Sequence, residues 1–239
     1  MKHYRLEKCL NSKNKLMIII ENLNIYQEKH QIFDNVSLKI SNGEFVYLIG
    51  DTGSGKSSLL KSLYAEVKPK SGSIKVGEFE IQSLKDEDIP FLRREVGIVF
   101  QDFQLLTDRN IYNNLKFVLK ATGWKDKIKI NNRIKEVLNA VHLDSMEEKM
   151  PYELSGGEQQ KAAIARALLN KPKIILADEP TGNLDPEKSI KIIQLLEEIN
   201  LSGTTIVIAT HDYEIMRKVK KRTVKCIDKK IVEIDPESL

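Results

Sequence analysis

The stretch FVYLIGDTGSGKS, Phe45 to Ser57, decides the fold. Its first five residues are apolar and do not alternate with polar ones, as in a strand buried on both faces of a parallel sheet. Gly50-Asp51-Thr52-Gly53-Ser54-Gly55-Lys56-Ser57 follows at once and fits G-x-x-x-x-G-K-[ST] in full. Such glycines let the backbone wrap phosphates, the lysine reaches the β- and γ-phosphates, and the terminal hydroxyl binds Mg²⁺. A helical pattern from Lys56 to Ala65 completes the strand–loop–helix context. A glycine turn before an unrelated helix would match only part of this pattern. The expected nucleotide-binding segment is therefore Gly50 to Ser58.

Working outward, three more apolar runs are rich in β-branched residues: VGIVF (Val96 to Phe100), KIILA (Lys173 to Ala177) and TTIVIAT (Thr204 to Thr210). Helical spacing recurs at Ile111 to Leu119, Ile130 to Val141, Glu158 to Leu169 and Glu187 to Asn200. The fold class is α/β with a mostly parallel core sheet. VSLKI (Val36 to Ile40) alternates, and GSIKVGEFEI (Gly72 to Ile81) reads as a strand pair around Gly77, which predicts a small antiparallel β subdomain. The charged helical block at about 102–158 reads as an inserted helical subdomain. Residues 1–16 are polar and basic without a period and are expected to form an N-terminal extension outside a domain spanning 17–235. No apolar segment of adequate length follows them, so they do not read as a signal peptide.

Ligands of open α/β sheets bind beyond the carboxyl ends of the strands. The four runs deliver there the phosphate loop, Gln101, Asp178-Glu179 and His211. Asp178 suits a Mg²⁺ shell, and Glu179 is placed to orient and deprotonate an attacking water. Alone, an Asp-Glu pair would read as a solvated turn. His211 reads as a γ-phosphate contact or as a cap for a helix near Asp212. Gln101 reads as a metal or water contact, or as an ordinary loop amide. An N-K-x-D guanine signature is not met by NKPK (Asn170 to Lys173), which favours adenine.

LSGGEQQKAAIARALL, Leu154 to Leu169, poses a separate question, because Ser155-Gly156-Gly157 heads a helix and offers a second anion site. Taken together and in order, GDTGSGKS, Gln101, LSGGEQQ, IILADEP, GNLD and THD resemble the ATP-binding cassette ATPases over about residues 17–235. The resemblance implies ATP and Mg²⁺ as ligands, with Ser57, Gln101 and Asp178 on the metal and Glu179 and His211 catalytic. It implies a homodimer in which Ser155, Gly156, Gly157 and Asp185 serve the partner's ATP. It also implies that Tyr26 stacks on adenine. A core aromatic is the alternative for Tyr26, and a helix cap before Pro186 is the alternative for Asp185.

PFLRREVGIVFQDFQLLTDRNIYNNL (Pro90 to Leu115) is similar to the FtsE group, the cell-division branch of that family. The branch implies an integral membrane partner of the FtsX type that controls peptidoglycan hydrolysis, docking at about Asp102 to Asn114, and a cytoplasmic location on the inner face of the membrane. LSGGEQQ and ADEPTGNLD are shared with lipoprotein-releasing and macrolide-efflux ATPases, which form the alternative. Lys161 stands where the family has Arg, and the two differ in donor geometry.

Composition adds bounds. The 239 residues suffice for one core, with 41% hydrophobic and 30% charged residues. A net charge of +4 is too small to argue for nucleic acid. The stretch Ser58 to Glu153 has no heptads, unlike DNA-repair members of the superfamily, so no nucleic acid is expected. Basic residues crowd the C-terminal end from Arg217 to Lys230, reading as a solvated face or a patch for an acidic membrane. Cys9 and Cys226 show no metal spacing and fit a reducing compartment.

Overall fold

A computed structural model describes residues 15–238. Two sheets are formed. The six-stranded one runs β10-β9-β3-β8-β7-β6, from β3 (Phe45–Ile49), β6 (Val96–Val99), β7 (Ile174–Asp178), β8 (Thr205–Ala209), β9 (Arg222–Ile227) and β10 (Lys230–Ile234). All its neighbours pair in parallel except β9 and β10. The second sheet, order β2-β1-β4-β5, is antiparallel: β1 (Leu16–Gln27), β2 (His30–Ser41), β4 (Ser71–Val76) and β5 (Phe79–Glu80). The helices are α1 (Lys56–Leu63), α2 (Ile89–Glu95), α3 (Ile111–Ala121), α4 (Lys127–Ala140), α5 (Gly156–Leu168), α6 (Pro186–Leu201) and α7 (Tyr213–Lys218).

The lack of alternation in the core strands has its expected cause. Along β3, Phe45, Tyr47 and Ile49 enter one hydrophobic cluster, with α3 to α6. Val46 and Leu48 enter the other, with α1 and the antiparallel sheet. Each face therefore takes a largely apolar side chain, with Tyr47 adding a buried hydroxyl. The phosphate loop thus leaves a central strand clamped on both sides by β8 and β9.

Several elements depart from the sequence expectations. β1 begins at Leu16, and Lys15 pairs with Glu78 at 2.6 Å, so the fold already includes residues placed in the N-terminal extension. The rest of that extension, with Cys9, lies outside the described residues. At the other end Lys220 pairs with Glu237 at 2.6 Å, past residue 235. Short α2 was not expected, nor were β9 and β10, while α7 is the helix expected near Asp212. The basic C-terminal run is β9 and its flanks: Lys221 pairs with Glu197, Arg222 with Glu44 and Glu233, and Lys230 with Asp34. The run nevertheless presents a solvated face, with Arg217, Lys218, Lys220, Lys229 and Lys230 exposed. These pairings also join the sheets, since Asp34 N donates to Lys229 O at 3.0 Å.

Candidate active site

The phosphate loop turns where only glycine fits. Gly55, at φ 97°, caps α1 in the left-handed region, and a Cβ there would lie 2.4 Å from Ile32 Cγ2 and 2.8 Å from Phe33 Cε2. Gly50, at φ 144°, would meet the Cys226 carbonyl at 2.5 Å. α1 has no side-chain cap and no acidic residue in its first turn, so its first amides face outward as donors for an anion. Asp51, Thr52 and Gly53 form the exposed crest, Ser54 is half-buried behind them, and Ser58 is half-buried on α1.

Lys56 is buried, with Nζ donating to the carbonyls of Gly50 at 2.7 Å and Asp51 at 3.2 Å. Glu179 Oε1 is 3.9 Å from it. That same oxygen is 2.8 Å from His211 Nδ1. Three strand ends, β3, β7 and β8, therefore bring Lys56, Glu179 and His211 to one point. The Glu179 side chain is only 14% exposed, whereas that of His211 is 63% exposed. Glu179 has φ 48°, a left-handed conformation that a residue with a Cβ adopts at a cost of about 1–3 kcal/mol. Its N–H donates to Ala209 O at 2.9 Å, which fixes this bend and turns Glu179 away from Asp178. His211 does not cap α7: Asp212 does, accepting from Ile215 N at 3.1 Å.

Asp178 ends β7. Burial pushes its carboxyl above the ordinary carboxylate range, and the neighbouring Glu179 adds to this, against a hydrogen bond from Ser57 and the charge of Lys56. Asp178 Oδ1 is buried without a hydrogen-bond partner. An orphaned carboxylate oxygen next to the Ser57 hydroxyl fits a divalent cation. Among the described residues no group of three or more His, Cys, Asp or Glu forms a metal cage. Mg²⁺ needs none, because it keeps waters and takes phosphate oxygens alongside one or two protein ligands. Gln101 and Asp178 line one cavity of about 570 Å³ with Tyr64, Gln104 and Asn183. Gln101 Nε2 lies 3.0 Å from where a Cβ on Gly182 would sit, so that glycine makes room for it.

The other expected site residues are placed less centrally. Tyr26 is half-buried near the end of β1 with Lys70 Nζ 4.3 Å from its ring centroid. Ser155 caps α5 in a capping box: its N–H and Oγ donate to Glu158 Oε2 at 2.8 and 2.7 Å. Gly156 and Gly157 begin α5, where added Cβ atoms would meet Leu184 Cδ2 and Lys188 Cδ, each at 3.2 Å. Asp185 caps α6, accepting from Lys188 N at 3.0 Å, and pairs with Lys188 Nζ at 2.7 Å. No side chain of the LSGGE stretch hydrogen-bonds to the phosphate loop among the described contacts. The two anion-seeking helix starts are separate features of one chain.

The residue pattern and the geometry agree with the family relationship. The sequence profile of the family described as ABC transporter matches residues 33–182. This chain belongs to the ABC transporter family of ATPases. It is 46% identical over 197 residues to the cell division ATP-binding protein FtsE of Streptococcus pneumoniae, covering 82% of this chain and 85% of that protein. It is 48% identical over 192 residues to FtsE of Mycobacterium tuberculosis, covering 80% and 83%. Among solved structures, the dimeric ATP-binding cassette MJ0796 in a post-hydrolysis state with ADP and Pi matches at TM-score 0.80 and 33% identity, covering 92% of this chain and 99% of that one. The cassette is an ATP hydrolase of the FtsE-like cell-division type, and the lipoprotein-releasing and efflux alternative is not favoured.

Sequence reasoning missed the residues that support these groups. Asn183, Asn114 and Arg166 hold the backbone after Gln101, and Gly182 clears its side chain. Polar residues on helices and turns give no pattern that marks them as braces. The Gly in TGN was a signal that only the fold could interpret.

Proposed function

We propose that this chain is the ATP-hydrolysing subunit of a membrane-associated complex that uses ATP-driven dimerisation to drive an integral membrane partner resembling FtsX, which controls peptidoglycan hydrolysis in cell division. The observation that carries the chemistry is the contact of one Glu179 oxygen with both Lys56 and His211, beside the orphaned Asp178 oxygen. In this reading the α1 amides and Lys56 hold the phosphates of ATP, and Lys56 exchanges its carbonyl partners for β- and γ-phosphate oxygens. Asp178, Ser57 and Gln101 hold Mg²⁺, which neutralises charge on the phosphates. Glu179 accepts a proton from water as the water oxygen bonds to the γ-phosphorus, and the bond to the β–γ bridging oxygen breaks to give ADP and phosphate. His211 orients Glu179 and contacts the γ-phosphate. Tyr26 stacks on adenine once Lys70 moves aside.

The second site half comes from a homodimeric partner. Ser155, Gly156 and Gly157 offer α5 amides to the partner's γ-phosphate, and Asp185 lies at the seam. The helical block of residues 102–158 is the subdomain that receives the membrane subunit, at about Asp102 to Asn114. Exposed Leu106 and Phe117 lie within or beside this region. Among the described residues no helix is long and apolar enough to cross a membrane, so the reading needs such a partner to place the chain peripherally on the cytoplasmic face.

Glu179→Gln tests the chemistry. The variant is expected to bind Mg-ATP with wild-type affinity and to turn over about 10²–10⁴-fold more slowly, the usual loss with a general base. Near wild-type steady-state turnover would remove Glu179 from that role.

A further inference from the structure

The segment that leaves β6 with Gln101 has little regular structure, and side chains from elsewhere fix its course. Asn183 Nδ2 donates to the Gln101 carbonyl at 2.9 Å. Arg166 of α5 donates through Nη2 to the Phe103 carbonyl at 2.9 Å and through Nη1 to the Gln104 carbonyl. Asn114, buried near the start of α3, accepts from Leu106 N at 2.8 Å and donates to the carbonyls of Leu106, Arg109 and Asn110, each at 3.0 Å. Between these anchors, Phe103 and Gln104 adopt φ of 58° and 49°. Two successive residues with side chains in the left-handed region do not hold that shape unaided. The Arg166 fork grips both of their carbonyls.

We propose that Arg166 is a positioning residue for ATP hydrolysis, clamping Phe103 and Gln104 from the signature helix and so setting where Gln101 stands against Asp178. One rigid element carries both ends of this link. Ser155 to Gly157 start α5, and Arg166 lies ten residues past Gly156, a rise of about 15 Å. A shift of the helix start on closing over a nucleotide is delivered to the Gln101 segment through the guanidinium. Lysine cannot replace it, because a single ammonium does not present a planar fork to two carbonyls. Arg166 is half-buried, and desolvation lowers the guanidinium's affinity for its proton, with nearby Asp102 opposing this.

The inference rests on the reading of Gln101 as a metal or water contact, and the test separates the two. Arg166→Lys is expected to lower kcat about ten-fold, in line with small misplacements at reacting centres. It is expected to raise the Mg²⁺ concentration needed for half-maximal turnover and to leave ATP affinity by calorimetry unchanged. Hydrogen exchange should quicken at the amides of residues 103–106 and stay unchanged in α3. Gln104→Gly, which removes the strain that the clamp opposes, is expected to recover several-fold of the activity in the Arg166→Lys background. Unchanged kcat, Mg²⁺ requirement and exchange in Arg166→Lys would overturn the proposal. So would a loss that follows a lowered Tm and weakened ATP binding in proportion, with no rescue by Gln104→Gly. Gln101→Ala serves as the control. If it leaves turnover and Mg²⁺ requirement intact, the reading of Gln101 fails and the clamp with it. If it raises the requirement while Arg166→Lys does not, the clamp alone fails.

Discussion

The starts of α1 and α5 are both glycine-rich helix N-termini, yet they are finished differently. α1 opens on a left-handed Gly55 with no side-chain cap, no acidic residue in its first turn, and Lys56 buried beneath it. α5 opens on Ser155 in a closed capping box, with Glu158 drawing two donors of Ser155 onto one oxygen. These hydrogen bonds hold the Glu158 carboxyl below its ordinary range. The first start is an open anion site within one chain. The second already has an anion of its own, Glu158, on the N–H and hydroxyl of Ser155. The difference teaches that the chain is prepared to bind nucleotide alone through α1. Under the proposed function, the α5 start would exchange an internal carboxylate contact for a phosphate brought by a second subunit.

The strongest way to break this comparison is Lys56→Ala. Hydrogen bonds to charged groups contribute about 1.5–3 kcal/mol, so ATP affinity should fall about 10- to 100-fold. Calorimetry on the same chain with Ser155→Ala in place of the lysine change should show affinity close to wild type. Equal losses in the two variants would mean that both starts serve the same bound nucleotide within one chain.

A middle-sized effect concerns the metal side of the first site. Asp178 has its folded pKa raised by burial, so the folded state holds the proton more tightly than the unfolded chain does. Stability of the nucleotide-free protein therefore increases as pH falls through that raised folded pKa towards the unfolded value, and above it the buried charge is a cost. Asp178→Asn should raise Tm near neutral pH by about 2–4 °C, the shift expected for roughly 1 kcal/mol in a chain of this size, while Mg²⁺-dependent turnover is lost. A lowered Tm would show that the charge is already compensated in the folded chain.

The smallest effect sharpens the other half. Ser155→Ala should cost about 1 kcal/mol of stability through the lost cap, seen as a slightly lower Tm. Glu158 has a depressed pKa, so its contribution is present above the unfolded pKa and is lost as pH falls through the folded one. The Tm gap between wild type and Ser155→Ala should accordingly narrow on acidification. A gap that widens instead would detach Glu158 from the cap.

Much of this was legible because chemistry and topology coincide in the strand–loop–helix stretch. The apolar runs became β3, β6, β7 and β8 within one residue or so, and the groups after them converged. What escaped was structure held by pairing rather than by pattern. β9 carries Arg222 and Lys225 in a strand next to β3, and charges on that scale read as surface until Glu44 and Glu233 are seen opposite Arg222. α2 has seven residues, too few to show a period. At the site, the placement of Asp178 and Glu179 at the end of β7 was readable from order alone, but the left-handed φ of Glu179 was not, because nothing in A-D-E-P marks it. The Arg166 fork was hidden in the same LSGGEQQKAAIARALL run that identified the helix, since an arginine in a last turn already suits the helix dipole.

The most direct test of the account is the mass in solution of Glu179→Gln with Mg-ATP, with and without Ser155→Arg in the same chain, measured by light scattering. The account predicts that Glu179→Gln alone doubles its mass on adding ATP. With Ser155→Arg added, it should still bind ATP and stay a monomer, because the bulky side chain blocks the α5 start from the partner's phosphate. Doubling that persists with Ser155→Arg, or no ATP-dependent doubling in Glu179→Gln, would contradict the shared site.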